Sequence, residues 1–540
     1  MRRFLALAAA AGLLTGGLAA AAPAVAGTAA PAAAQALKWG KCAESDLRQA
    51  GAACAMLSVP LNYSDPSGAT IKIAVSRIKH TSSAAKYQGV ILTNPGGPGG
   101  SGLDLNTFLI AQLKAEGSAA DKAAAGDYDW IGFDPRGVGS SVPALTCAPF
   151  YFSGDRENYN PRTKQILNYW LHRSARYDQR CATHSAAQSA LLDNDTTVDT
   201  ARDMDSIRQA LGQSQISYYG FSYGTYLGQV YSTLFPSHVR RLIMDSNVDP
   251  RKVWYQANLD QDIAFNRNIK IWFGWLAQHH SFYHLGRTEK VVENRFYAEK
   301  ARLFKHPIQG VVGPDEWIDM FLQPGYYEET WLQFGSAFAN WAHTHGKKAG
   351  ATLVSLYQAV DTPGDDNGFA GYNAVQCTDV QWPTSWAVWS KDNHRVNKIA
   401  PFETWGNAWF NAPCLHWPAP ASRTTPMQIN GSGVSSALLI DETLDAATPF
   451  GGSLEVRKLF PHSVLLAEPG GTTHADSLSG DLCVDNTIAN YLASGKLPAR
   501  NPNAKWDKTC KPLPRPVPSS SAAVSGNSAA RSVLPMIRAH

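Results

Sequence analysis

The 540-residue sequence lacks the features that mark several common protein classes. Beyond its first 26 residues it has no apolar run of about 18 residues, so no membrane-spanning helix is expected. It contains neither a C-x-x-C pair nor H-E-x-x-H, two common metal-binding motifs. Its net charge of +4 is small for this length, which argues against a nucleic-acid partner. We therefore expect no metal or organic cofactor, no nucleic acid and no membrane association.

Both ends of the chain differ in composition from the rest. Residues 1–26 begin with an Arg pair, continue with an apolar run and end in Ala24-Val25-Ala26, which is typical of a secretory signal peptide. Residues 27–36 are rich in Ala and Pro, and we expect a disordered linker or propeptide there. Residues 511–540 are rich in Pro, Ser and Ala, and we expect a disordered tail. The sequence thus predicts a secreted protein, which we expect to be a monomer.

Eight cysteines in an exported chain indicate disulfides. Eight cysteines allow 105 pairings, and the sequence alone does not choose among them. Pairing in sequence order closes the shortest loops, and we take it as a hypothesis: Cys42–Cys54, Cys147–Cys181, Cys377–Cys414 and Cys483–Cys510.

The strongest local signal is the sequence G-x-S-x-G at Gly220 to Gly224, which places Ser222 at its centre. A β-branched and aromatic run precedes it, a helical pattern follows it to Leu234, and a second apolar run begins at Val239. Strand, sharp turn, helix and strand form the context of a nucleophile elbow, in which the serine hydroxyl projects from the turn. The alternative is an ordinary strand-to-helix turn with an inert serine.

A glycine-rich loop follows an earlier predicted strand, Gly89 to Asn94. It contains G-x-G-x-x-G from Gly97 to Gly102, so a dinucleotide site has to be considered. Pro98 lies inside that fingerprint and removes a backbone donor, which disfavours a nucleotide. We favour an oxyanion loop, with the N–H groups of Tyr223 and Gly97 as donors and Gly96 as the substitute for Gly97.

The region that contains the predicted sheet is expected to consist of two segments of the chain, residues 37–249 and 426–510. In the first, strands alternate with helices, which implies a mostly parallel sheet. Residues 250–425 instead show long helical patterns and hold 12 of the 16 Trp residues. We interpret them as a helical cap inserted over the catalytic face, with most of its Trp side chains in ordinary core packing.

In the second piece, acids and a histidine follow two successive predicted strands. Asp441, Glu442 and Asp445 follow the first strand, and His474 follows the second. Ser, acid and His in this chain order are expected of an α/β-hydrolase. His474 would take the proton of Ser222, and one of the three acids would orient it.

Four stretches together resemble the secreted bacterial tripeptidyl aminopeptidases, α/β-hydrolases related to prolyl iminopeptidases. They read N-P-G-G-P-G-G-S-G, D-W-I-G-F-D-P-R-G-V-G-S-S, Y-G-F-S-Y-G-T-Y-L-G and T-L-D-A-A-T-P, and lie at 94–102, 129–141, 219–228 and 443–449. The resemblance selects Asp445 as the acid. The chain departs from the family at Glu442, Ser246 and Thr473, where Gly is usual.

The resemblance implies a serine exopeptidase that releases short peptides, typically tripeptides, from free N-termini. Such an enzyme needs a carboxylate for the substrate ammonium group, and the candidates are Asp249, Asp379, Glu328 and Glu329. Three alternatives stay open: an esterase or lipase with the same triad, release of single residues as in prolyl iminopeptidases, and a noncatalytic binding protein.

Overall fold

A computed structural model describes residues 36–361 and 364–519. The predicted signal peptide and all but the last residue of the predicted linker lie outside these ranges. No helix in the described ranges is long and apolar enough to cross a bilayer.

A ten-stranded sheet forms the centre of the molecule, in the order β1-β2-β3-β5-β4-β6-β7-β8-β9-β10. The first three pairings, β1 with β2, β2 with β3 and β3 with β5, are antiparallel, and all others are parallel. The strands are β1 Gly40–Lys41, β2 Ala53–Pro60, β3 Thr70–Ile78, β4 Val90–Asn94, β5 Asp129–Phe133, β6 Ile216–Phe221, β7 Val239–Asp245, β8 Ala437–Glu442, β9 Ser463–Glu468 and β10 Lys508–Thr509.

The central parallel strands are buried along their whole length because helices cover both faces of the sheet. This explains why these segments read as continuous apolar runs. The predicted mostly parallel α/β fold is confirmed. The helices of this part are α1 Ser45–Gln49, α2 Leu105–Glu116, α3 Ala119–Gly126, α4 Lys164–Thr183, α5 Ala186–Leu192, α6 Thr197–Ala210 and α7 Tyr223–Leu234, with a 3-10 turn at Pro236–His238.

A helical insertion, residues 246–436, separates β7 from β8. It has a core of its own, in which Trp272, Trp317 and Trp331 are fully buried. Its helices are α8 Tyr255–Gln278, α9 His280–Tyr283, α10 Glu289–Leu303, α11 Pro314–Phe321, α12 Gln323–Tyr326, α13 Trp331–Thr344, α14 Lys347–Val360, α15 Asn367–Asp379, α16 Trp386–Asn397 and α17 Thr404–Asn411, with 3-10 turns at Glu328–Thr330 and Ala412–Leu415. After it come α18 Gly451–Leu459 and α19 Leu482–Ser494.

The insertion also packs on a helix from the first part of the chain. Trp170 of α4 stacks on Trp409 of α17, with ring centroids 5.8 Å apart. Arg136, which follows β5, is fully buried and forms a two-pronged ion pair with Asp203 of α6 at 2.7 and 2.8 Å. The pair connects the turn after β5 to α6.

Four disulfides join the cysteines in sequence order, as hypothesised: Cys42–Cys54, Cys147–Cys181, Cys377–Cys414 and Cys483–Cys510. Each closes a loop of 12 to 37 residues. They tie an edge of the sheet, the α4 region, the insertion and the last strand to neighbouring chain, which suits an oxidising compartment.

The expectation of a disordered tail from residue 511 onward is wrong for its first nine residues. Arg515 pairs with Glu328 at 3.3 Å and lies over the ring of Trp331. The Pro516 carbonyl accepts a hydrogen bond from the indole of Trp275 at 3.0 Å. Residues 511–519 therefore pack against the helical insertion, because its surface offers them an acid and aromatic rings. Residues 520–540 lie outside the described ranges.

Candidate active site

Ser222 lies at the turn between β6 and α7, with φ 54° and ψ −126°. This conformation is costly for a residue with a side chain, so the fold must enforce it. A Cβ on Gly220 would lie 2.5 Å from the Gly224 carbonyl oxygen, and one on Gly224 would lie 2.7 Å from the Asn94 carbonyl oxygen. The two glycines therefore allow the close approach of strand and helix that presents the serine.

Asp445 and His474 form a buried pair. The imidazole Nδ1 lies 2.7 Å from Asp445 Oδ2, and both side chains are almost completely buried. The carboxylate also accepts hydrogen bonds from the Ala447 N–H at 2.8 Å, the Thr448 N–H at 3.0 Å and the Thr448 hydroxyl at 2.9 Å. Four donors thus hold the carboxylate in one orientation, with the proton of the imidazole on Nδ1.

The other imidazole nitrogen, Nε2, is buried and makes no hydrogen bond with the described residues. It is the atom that a general base would present to a nucleophile. The two competing acids have other partners. Asp441 accepts a hydrogen bond from Ser453 at 2.5 Å, and Glu442 accepts one from the Thr473 N–H. Of the three acids, the structure brings Asp445 to the histidine.

The elbow and the histidine loop meet at the end of β7. The Ser222 N–H donates to the Asp245 carbonyl at 3.0 Å, while the Asp245 carboxylate accepts from the Ser477 N–H at 2.9 Å. The next residue, Ser246, has φ 63° and accepts a hydrogen bond from the Ala475 N–H at 2.8 Å. Serine at this usual Gly position therefore supplies a hydroxyl that fixes the histidine loop.

The helical insertion fixes the same loops from the other side. The Tyr326 carbonyl accepts the His474 N–H at 2.8 Å, and the Tyr326 ring packs edge-on against the imidazole at 5.8 Å. Asn268 of α8 donates to the Leu444 carbonyl at 2.9 Å and to the Thr472 carbonyl at 3.3 Å. Movement of the insertion would therefore disturb the acid loop and the histidine loop together.

The glycine-rich loop abuts the elbow. Gly96 has φ 102°, and a Cβ there would lie 2.9 Å from Ser222 Cβ. Its N–H donates to the Asn94 side chain at 3.0 Å, whereas the Gly97 N–H has no acceptor among the described residues. Gly97 and Tyr223 both line the cavity beside Ser222. Gly97 is therefore better placed than Gly96 to donate to a ligand.

A cavity of about 210 Å³ opens between the elbow and the insertion. Ser222, Gly97 and Thr448 line it from the sheet side. The opposite wall is largely aromatic: Tyr151, Phe152, Tyr159, Trp170, Trp254, Phe265, Tyr326, Tyr372, Trp409 and Phe410. Such a wall suits apolar side chains of a bound substrate.

Two of the predicted amine-binding acids are already engaged. Asp379 does not line the cavity; it is buried and accepts hydrogen bonds from Thr197 at 2.6 and 2.7 Å and from the Trp254 indole at 3.1 Å. It therefore joins α15 to α6. Asp249 lines the cavity, but Arg251 pairs with it at 2.7 and 2.9 Å.

The other two predicted acids, Glu328 and Glu329, do not line the cavity either. Glu328 binds the Thr472 hydroxyl at 2.6 Å and Arg515, while Glu329 is exposed. The structure thus places Glu328, Glu329 and Asp379 outside the cavity lining, and their role in binding the substrate amine stays a prediction. Their positions in the sequence gave no information on which face of the insertion they occupy.

An acid that the sequence analysis missed, Glu403, lies in the cavity wall. It is 7% exposed, and its Oε1 is buried without a hydrogen-bond partner among the described residues. Burial raises its pKa well above the usual value, and the charges of Asp262 and Asp319 add to the shift. Asp319 also lines the cavity but is bound by Arg156 and by the Tyr159 hydroxyl at 2.9 Å. Glu403 is thus a buried carboxyl group with no basic partner in the part of the chain that the structure describes.

Comparison with known proteins shows the family of the chain. Residues 89–293 match the family described as alpha/beta hydrolase fold, and residues 400–510 match the family described as TAP-like protein. The chain is 38% identical to the tripeptidyl aminopeptidase of Streptomyces lividans over 91% of this chain and 89% of that protein.

Two relatives from Mycobacterium tuberculosis bear other names. A carboxylesterase B is 31% identical over 90% of this chain and 95% of its own length. A serine protease is 28% identical over 86% of this chain and 90% of its own length. The elbow lies within the first matched range and the Asp445–His474 pair within the second. The chain belongs to the tripeptidyl aminopeptidase family of α/β hydrolases.

Proposed function

We propose that the protein is a serine exopeptidase that releases short peptides, with tripeptides as the expected product, from free N-termini. The observation that carries this proposal is the buried Asp445–His474 pair beside the elbow serine, in a cavity that also holds an unpaired carboxyl group. The name of the Streptomyces relative supports the peptide product.

In the proposed reaction the hydroxyl of Ser222 attacks the scissile carbonyl while His474 Nε2 takes its proton. The four hydrogen bonds to Asp445 keep that carboxylate aligned, so it stabilises the imidazolium that forms. His474 then donates the proton to the leaving amine, which leaves an acyl-enzyme on Ser222. A water molecule, activated by the same histidine, releases the N-terminal peptide.

The oxyanion of each tetrahedral intermediate would accept hydrogen bonds from the N–H groups of Gly97 and Tyr223. Tyr223 is the first residue of α7, so its N–H has no partner within the helix and is favoured by the helix dipole. Loss of one such donor typically costs about 10² to 10³ in rate.

The substrate ammonium group would bind Glu403. An ammonium group offers three N–H donors and a positive charge. Glu403 Oε1 receives no hydrogen bond from the described residues, and the charged groups that act on Glu403 are the acids Asp262 and Asp319. In the free enzyme the raised pKa favours a neutral carboxyl group, and substrate binding would ionise it. An acetylated N-terminus carries no positive charge to stabilise the ionised carboxylate of Glu403 and would bind poorly.

Two other activities remain in competition. The carboxylesterase name of one relative favours an esterase, because the triad does not distinguish ester from amide. Release of single residues, as in prolyl iminopeptidases, would require that Glu403 lie one residue from the scissile bond.

We further propose secretion, with the signal peptide at 1–26, and a monomeric enzyme without a metal or organic cofactor in its reaction. The hydrolase core would comprise residues 37–249 and 426–510, with the cap at 250–425. The disulfides fit an extracellular location.

The test compares kcat/KM on a tripeptide anilide, its N-acetylated form and a short acyl ester, with Ser222→Ala as the control. A strong preference for the free tripeptide, abolished in Ser222→Ala, supports the proposal. Full ester hydrolysis without anilide cleavage would favour the esterase, and failure of a fluorophosphonate to label Ser222 would indicate a noncatalytic protein.

A further inference from the structure

Three acids outside the proposed reaction meet beneath the histidine loop: Glu442, Glu468 and Asp476. One carboxylate oxygen of each lies within 4.8 Å of the others. Glu442 and Glu468 are the last residues of the neighbouring strands β8 and β9 and are directly paired in register, so their side chains lie on the same face. Asp476 follows His474 by two residues. The cluster therefore joins two strand ends to the loop that carries the histidine.

The cluster contains a buried oxygen atom to which no described N–H or O–H group donates. Glu468 is 1% exposed, and its Oε1 receives no such hydrogen bond. Its neighbour is the carboxyl group of Asp481, whose Oδ2 is likewise buried without a donor, so the two acids either share a proton or bind a cation. Asp476 is half-buried, which leaves a path from solvent. Three carboxyl groups thus surround one point that a small ion could reach.

The local backbone holds Glu442 in this position. The Thr473 N–H donates to its carboxylate. A Cβ on residue 471 would overlap that carboxylate, so Gly471 provides the space that it occupies. Glu442 and Thr473 both replace the Gly that is usual in the resembled family. The chain therefore places a carboxylate here together with the backbone geometry that orients it.

The charged groups around the three acids do not neutralise them. The charged neighbours that act on their carboxyl groups are Asp245, Glu328, Glu329, Asp481 and Asp485. Lys508 faces Asp481, but its ammonium group donates to the Cys483 carbonyl at 3.3 Å and to Thr487. The cluster therefore has acidic neighbours, which favour a cation at this point.

We propose that Glu442, Glu468 and Asp476 bind one divalent cation, calcium by its ligand chemistry, which fixes the loop that carries His474. Calcium binds carboxylate oxygens at about 2.3–2.6 Å, so two of its ligands lie up to roughly 5 Å apart. The spacing of the three oxygens meets this limit. Water would complete the coordination. The ligands come from three separate segments, which explains why no sequence motif indicated the site.

The experiment uses the whole purified protein, stripped with EDTA and dialysed. Calorimetric titration with CaCl₂ should give one site, with Kd of about 10⁻⁴ to 10⁻³ M as in other extracellular calcium sites. Thermal unfolding at 10 mM CaCl₂ should show Tm raised by roughly 2–5 °C relative to EDTA. Glu468→Gln should abolish both effects, and the matched control Glu289→Gln, which changes an exposed acid on α10, should keep them.

The proposal is overturned if CaCl₂ changes neither heat nor Tm, or if Glu468→Gln keeps the parent response. If the parent protein does not respond to calcium and Glu468→Gln has a higher Tm than the parent, the acids share protons and do not bind a cation. If Glu468→Gln does not fold, Asp476→Asn on the half-buried loop takes its place and should lose calcium binding. Calcium binding is measured without substrate, so these results are independent of the proposed peptidase activity.

Discussion

Replacement of Glu403 by Gln tests the proposed amine site. The substitution keeps the shape of the side chain but removes its charge. A hydrogen bond to a charged group contributes about 1.5–3 kcal/mol, so loss of the ammonium contact should lower kcat/KM by about 10- to 150-fold. The loss should affect only substrates with a free N-terminus. The acetylated tripeptide, which makes no such contact, should be cleaved at the parent rate or faster.

The pH dependence provides a second readout of the same site. Burial raises the pKa of the Glu403 carboxyl group, so at low pH it is protonated and neutral. Binding of an ammonium group requires the ionised form. The ratio of kcat/KM for free over acetylated substrate should therefore rise with pH in the parent enzyme, up to the pKa of the substrate amine. In Glu403→Gln the same ratio should not change with pH over the range in which it rises for the parent enzyme.

Steady-state kinetics on the paired anilides measures both effects, and Glu289→Gln is the matched control because Glu289 is exposed and does not line the cavity. An equal loss on both substrates would indicate a structural role for Glu403. An unchanged preference for the free N-terminus would refute the amine site altogether.

Three further changes have defined expectations. Asp445→Asn should keep the fold but lower kcat by about 10⁴-fold, because the amide no longer selects the imidazole tautomer. A stopped assay measures kcat, and a parent-like value would exclude Asp445 as the acid of the triad. Gly96→Ala should lower kcat by at least roughly 10²-fold, since its Cβ would lie 2.6 Å from the Phe221 carbonyl and 2.9 Å from Ser222 Cβ, and normal turnover would contradict the contact. Joint replacement of Cys377 and Cys414 by Ser should lower the free energy of unfolding by about 4 kcal/mol, because their disulfide closes a loop of 37 residues. Denaturant titration measures this free energy, and an unchanged unfolding midpoint would contradict the prediction.

Local patterns predicted those parts of the fold that depend on neighbouring residues. The elbow requires glycines two residues either side of Ser222, and the contacts at Gly220 and Gly224 give the physical reason. Strands β4, β6 and β9 were predicted as apolar runs because they are buried on both faces of a parallel sheet. The order of strand, acid, strand and histidine was visible because parallel strands present their carboxyl ends on one side.

The acids in the insertion could not be predicted in the same way. Glu403 meets Asp262 and Asp319 only after three helices that are distant in sequence have packed together. The sequence around Asp379 does not distinguish it from a functional acid, but its hydrogen bonds to Thr197 and Trp254 give it a structural role. Helical periodicity shows which residues share a face of one helix, but not which neighbour covers that face.

The most direct test of the proposed function is the identity of the first product. The purified enzyme would be incubated with a long peptide bearing a free N-terminus and, separately, with its N-acetylated form, and the products identified by mass spectrometry with Ser222→Ala as the blank. The proposal predicts tripeptides from the free peptide, no early product from the acetylated one and none with Ser222→Ala. Internal fragments from both peptides, or no cleavage of either by an enzyme whose Ser222 reacts with a fluorophosphonate, would contradict it.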